Sequence, residues 1–301
     1  MRLVDELAHW LGRVEVVLAG AEEHLRDAEL ALAAGEPMRA RAAAHRVLAR
    51  VPGSPLGLAL LADACEAAHL DAELLLTLEE LTLRLPSRGE VWLRLAEARR
   101  RAGQDEASVG HALSRALAEA EPGSELRRGA LLALADESLR SSAADRALLW
   151  LERLGPKPDA RAALLRAEAL LLRHDAEGAL RALEPYEASP TDGRRALAEG
   201  RARARIGQPA GLALLLRAYV LEEPRAAESL ASAVGHLPLA ADGLAPVRAV
   251  VEARGELTSA RFRAAFARAE GRRDEAMAAL RDGVAAGDQG AVGPLVDAAL
   301  E

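Results

Sequence analysis

One spacing constrains this chain more than any other, because the same residue classes return at steps of thirty-four. Trp92, Leu95 and Ala96 follow one another at helical spacing and lead to Arg99 and Gly103; thirty-four residues earlier the same slots hold Leu58, Leu61, Ala62, Cys65 and His69. The large-large-small pattern survives the shift. Gly35, His69 and Gly103 recur in the slot that closes the first helix, and Pro52 and Pro86 recur as late punctuation. Gly ends helices because it takes a left-handed φ without a Cβ clash, and His is enriched there among the other residues. Each unit therefore reads as helix, stop, second helix and break. A single helix pair cannot bury its apolar stripe, whereas stacked pairs can, provided small residues stand where helices approach. Ala28, Ala62 and Ala96 supply that closeness in the first helices, with Ala40 and Leu74 in the corresponding slot of the second.

Composition agrees with helices. Half of the 301 residues are apolar but only 2% are aromatic, and Ala and Leu provide most of the bulk, which is unlike β-branched strands. The length suffices for two ordinary domains or for one elongated array without a central core. Lys157 is the sole lysine, Ile206 the sole isoleucine, and asparagine is absent. That bias follows GC-rich codons, so the arginine count by itself says little about function.

A period of thirty-four, two helices per unit, the large-Leu-small series in the first helix, Ala in the second and a closing Pro together resemble the tetratricopeptide repeat (TPR). The resemblance is clearest over residues 21–122, about three repeats. It implies an all-α fold, a right-handed α-solenoid of antiparallel helix pairs in a TPR-like superhelix. Residues 1–20 are expected to form an N-terminal capping helix, 123–288 further, degenerate pairs, and 289–301 a C-terminal capping helix. Downstream, Trp150 falls on an inner face, His174, Gly207 and Gly271 take the closing slot, and Gly200, Pro224 and Ala276 recover the family spacing. The chain departs from the family where the tyrosine slot of the first helix holds Ala31, Cys65, Arg99 and Arg203, and where Glu199 replaces an inward Leu. Pro238, Gly243 and Pro246 break the periodicity, so an irregular connection is expected near 235–246.

The balance of charge excludes several classes. Net charge is −7 with both signs interleaved, which disfavours nucleic acid and anionic membrane as partners. The opening carries Asp5, Glu6, Arg13 and Glu15 where a signal peptide needs an apolar run, while Leu3, Leu7, Trp10, Leu11, Val14 and Leu18 keep helical spacing. No apolar stretch reaches the ~20 residues that span a bilayer. A cytoplasmic protein is expected. Cys65 is alone and reads as a buried, inert thiol.

No constellation for catalysis, a cofactor or a metal is expected. Lys157 lacks the glycines of a phosphate loop, and Gly287, Gly290 and Gly293 follow no strand. The seven histidines are scattered singly. Ser114 stands three residues after His111, but with no orienting acid or oxyanion donor. The chain is read as a non-enzyme; a regulatory sensor acting on a separate effector chain through a change of curvature is the alternative.

Arrays of the family bind extended peptides or helices along the groove lined by first helices, which the resemblance extends to this chain. The groove slots are Glu22, Leu25 and Glu29; Leu56, Ala59, Asp63 and Glu66; and Glu90, Leu93, Glu97, Arg100 and Arg101. Trp92, Leu95 and Ala96 turn inward, leaving Arg100 and Arg101 near the concave edge and Arg94 outside. Residues 1–122 hold 14 arginines against 20 carboxylates, net −6, whereas 123–301 hold 25 basic against 26 acidic residues, net −1. The expected partner is another protein, offering a basic amphipathic segment to three exposed leucines and six carboxylates. Plain solvation of helix faces is the competing account of these acids.

Overall fold

The computed structural model describes residues 13–155, 160–186, 189, 191–237 and 241–300, leaving out the side chains of 241, 242 and 297–300. The expectations for Leu3, Leu7, Trp10, Leu11, Lys157 and Pro238 lie outside the described residues. Residues 13–18 are helical. The helices then run α1 (Glu22–Ala33), α2 (Pro37–Arg50), α3 (Pro55–Ala67), α4 (Asp71–Arg84), α5 (Gly89–Arg101), α6 (Glu106–Glu119), α7 (Glu125–Arg140) and α8 (Ala144–Arg153). They continue as α9 (Ala160–Leu172), α10 (Ala176–Leu183), α11 (Gly193–Arg205), α12 (Ala210–Val220), α13 (Ala226–His236), α14 (Ala241–Ala253), α15 (Ala260–Ala269) and α16 (Arg273–Ala285). A 3-10 turn (Gln289–Ala291) and α17 (Val292–Leu300) end the series. Among the described residues there is no strand.

Local chemistry sets the ends. Pro37 and Pro55 stand in the first turn of α2 and α3, where a missing N–H costs nothing. Asp105, Ser124, Asp175 and Asp192 accept from the backbone N–H three residues on, capping α6, α7, α10 and α11. The closing slot of the repeat has one geometry throughout. Gly103 has φ +67°, its N–H reaches the Arg100 carbonyl at 3.0 Å, and the next N–H, of Gln104, reaches Arg99 at 3.0 Å. His69, with φ +55°, donates its N–H to the Glu66 carbonyl while that of Leu70 reaches Cys65, and His174, with φ +62°, donates to Leu171 while Asp175 reaches Leu170. This double bond pattern satisfies helix-end carbonyls and needs a left-handed residue, which explains the Gly and His at these sites.

The residues group into two compact units: unit 1 comprises 1–141 with 150–155, and unit 2 comprises 142–149 with 156–301. In unit 1, Ala28, Ala62 and Ala96 are buried between helices, and Leu58, Leu61, Leu74, Leu78, Leu81, Leu95 and Leu113 fill one core. Trp150 packs against that core. Trp92 is only half-buried; its Nε1 donates to the Pro86 carbonyl at 2.8 Å and its ring meets His111 edge-on.

Unit 2 uses larger anchors. Phe262 is 0% exposed and its ring meets Tyr219 edge-on and Phe266 at a tilt, in a core with Leu215, Leu230, Val247 and Val251. Gly200 and Gly211 bring α11 and α12 together so tightly that a Cβ on Gly211 would lie 2.7 Å from the Gly200 carbonyl oxygen. Gly243 and Pro246, expected in an irregular connection, lie inside α14. Proline's lost donor and ring clash weigh on the preceding turn, and here only one full turn precedes it.

Candidate functional site

First helices of consecutive pairs stand beside each other: α1 meets α3 and α5 meets α7 in unit 1, and α9 meets α11, α11 meets α13 and α13 meets α15 in unit 2. Side chains on these helices form the candidate partner surface. Leu25 does not belong to it, being 2% exposed and part of the unit 1 core. Its neighbours Ala21 and Ala28 are buried with it, so the apolar stripe of α1 is turned further than the repeat register places it. Leu56 and Leu93 are half-buried and packed against the core, each showing one edge to solvent. The three exposed leucines of the sequence reading are therefore two partial ones.

The six carboxylates are mostly engaged with arginines. Glu22 pairs with Arg26 one turn on, and Glu29 meets Arg13 at 3.1 Å. Asp63 and Glu66 of α3 receive Arg94 of α5 at 2.7 and 2.8 Å. Arg94 thus lies between two first helices, not on the outside, because its long stem carries the guanidinium across to the acids of the preceding pair. Glu66 also meets Arg101 at 3.3 Å, and Arg101 meets Asp71 at 3.5 Å. Glu97 pairs with Arg100, which lies 3.7 Å from the buried Asp136 of α7. Glu90 is exposed and has no ion pair among the described residues.

Two further polar groups bear on function. Arg41 and His45 hold Glu73 at 2.6 and 2.8 Å, and the Arg41 hydrogen bond keeps its carboxyl below the ordinary glutamate range. Cys65 is buried beside them; burial, reinforced by the Glu73 charge, pushes its thiol up to about 11. A thiol so protonated is a poor nucleophile. Glu199, in the slot of an inward Leu, is half-buried and accepts from Arg203 at 2.7 Å. An aliphatic slot has become one end of an ion pair. Among the described residues no group of His, Cys, Asp or Glu is arranged to hold a metal, and no helix is long and apolar enough to cross a membrane.

The sequence reading missed Arg94 and the cross-helix pairs. Their signal is the separation of 28 residues between Arg94 and Glu66, repeated nearly in unit 2 as 26 between Arg194 and Glu168, which meet bidentately at 2.7 and 2.6 Å. Both separations are shorter than the repeat, as a contact between neighbouring first helices requires.

No family model matches this sequence, and no curated protein is similar to it. Among solved structures, a tetratricopeptide repeat protein from Parabacteroides merdae ATCC 43184 is similar over 93% of this chain and 99% of its own, at 14% identity and a TM-score of 0.58. MamA protein covers 68% of this chain and 93% of its own at 15% identity and a TM-score of 0.42. The TPR domain of P58(IPK) covers 93% and 97% at 14% identity and a TM-score of 0.34. The stacked helix pairs, the shared closing motif and the first of these likenesses together give the chain a TPR-like fold, an all-α helical-repeat solenoid.

Proposed function

We propose that the chain is a non-catalytic protein-interaction scaffold whose first-helix row in unit 1, α1, α3 and α5, receives a basic amphipathic segment of a partner protein. The supporting observation is the row itself: adjacent first helices present one face lined by Asp63, Glu66, Glu90 and Glu97 with the partial edges of Leu56 and Leu93. Ion pairing inside the chain does not cancel the excess of carboxylates over residues 1–122, where 14 arginines face 20 acids. Glu90, which has no ion pair among the described residues, is where an incoming cation gains most. The leucine edges supply shallow apolar contact, and the carboxylates supply orientation and encounter rate. A cytoplasmic setting fits this reading.

The test is fluorescence anisotropy of the full chain with a labelled Lys-Leu amphipathic peptide and its Glu-Leu counterpart across salt. Binding of the basic peptide that falls with salt and is weakened by Glu90→Lys is expected at this row. Binding of the basic peptide that neither falls with salt nor responds to Glu90→Lys overturns the reading.

A further inference from the structure

Unit 2 carries a second groove of opposite character. Between α11 and α13 lies an open cavity of about 960 Å³ whose lining includes Arg201, Arg205 and Arg225, against the buried Leu215, Ala233 and Leu237. A smaller cavity of about 130 Å³ between α13 and α15 adds Arg261 and Arg268, and both cavities include Ser232 and His236. Among the described residues, five arginines thus line the two spaces against one carboxylate, Glu228.

On α11, Arg203 pairs with Glu199 and Arg205 donates to the Leu171 carbonyl. Arg194 at the start of α11 is held bidentately by Glu168, but Arg201, two turns along, makes no hydrogen bond or ion pair among the described residues. The Nε of Arg261 is buried without a hydrogen-bond partner among the described residues. Burial, and after it the charges of Arg205 and Arg225, hold the Arg201 guanidinium below the ordinary arginine value, and the attraction of Glu228 ranks behind them. Collecting like charges in a half-buried site costs stability, and an anion that enters reverses the cost.

We propose that this groove binds an acidic segment of a partner protein, its carboxylates meeting Arg201, Arg205 and Arg225. Arginine offers a planar fork that takes a carboxylate through two parallel hydrogen bonds. The cavity is many times larger than one inorganic anion, which suits a peptide of several residues. Nucleic acid fits less well, because the chain as a whole is negative.

The experiment uses the full chain and a labelled octapeptide alternating Glu and Leu, with Arg201→Gln and Arg225→Gly as variants. Arg225 has φ +66°, a conformation Gly adopts freely, so its replacement removes a cation without straining the backbone. Each variant is expected to weaken peptide binding about tenfold while the melting curve holds or rises. Should Arg201→Gln fail to fold, Arg225→Gly decides alone. Absence of peptide binding at low salt, or binding unchanged in both variants, overturns the proposal. So does inorganic phosphate or single-stranded RNA competing at the affinity of the peptide, or self-association at low salt that the same variants abolish. The basic peptide of unit 1 is measured separately with Glu90→Lys, so the failure of either site is read apart from the other.

Discussion

Unit 1 and unit 2 are built from the same helix pair, yet among the described residues only unit 2 gathers several arginines around one cavity. In unit 1, Arg94, Arg99, Arg100 and Arg101 all reach carboxylates, and the acids of one first helix are met by the cations of the next. In unit 2, Arg194 meets Glu168 and Arg203, Arg248 and Arg254 also reach carboxylates, whereas Arg201, Arg205 and Arg225 line a cavity. Their cores differ in parallel: unit 1 is a Leu and Ala core, while unit 2 gathers Tyr219, Phe262 and Phe266. A repeat fold fixes the helix spacing and leaves the exposed rung of each pair open to other uses.

The largest expected effect breaks or upholds the independence of the two units. Phe262→Ala removes the central ring of unit 2 and should cost about 3–5 kcal/mol. No tryptophan follows Trp150 in the sequence, so fluorescence follows unit 1 while far-UV circular dichroism follows both. A lowered dichroism transition beside an unmoved fluorescence transition is expected; equal shifts in both would make the units one cooperative body. Gly211→Ala forces a Cβ against the Gly200 carbonyl and should cost about 2 kcal/mol, read by urea unfolding of unit 2.

Charge removal sharpens the contrast directly. Arg94→Met should destabilise by about 0.5–1 kcal/mol through the loss of two ion pairs, whereas Arg201→Met should be neutral or stabilising by a similar amount. Paired urea titrations check the signs, and equal losses would erase the difference between the rows. His69→Gly and His174→Gly relax the same left-handed slot, one in each unit, and should each stabilise by about 0.5 kcal/mol in thermal melts. The smallest effect is pH-dependent. The folded carboxyl of Glu73 titrates below its unfolded counterpart, so its stabilisation is present above about pH 4.3 and is lost as pH falls through the folded value. Glu73→Gln should flatten that acid limb in tryptophan-monitored melts of unit 1.

Much of the fold is legible in the residues. Gly35, His69, Gly103, His174, Gly207 and Gly271 announce the helix ends, because few residues accept φ near +60° at low cost. Ala28, Ala62 and Ala96 announce the close crossings. Leu25 misleads because the stripe of α1 is rotated by a fraction of a turn, which a repeat register copied from α5 does not contain. Gly243 and Pro246 mislead because both residues break helices in isolation, while a near-terminal proline is tolerated. The partner surface is less legible still: Arg94 and Glu66 are neighbours only after two pairs have stacked.

The sequence alone determined the helical class, the length of the unit and the residues that stop each helix, since these rest on local conformational preference and on apolar periodicity. Tertiary structure alone decided which arginines find a carboxylate and which face a cavity. Ion pairing depends on distances between side chains from separate pairs, and those distances are set by how the helices pack.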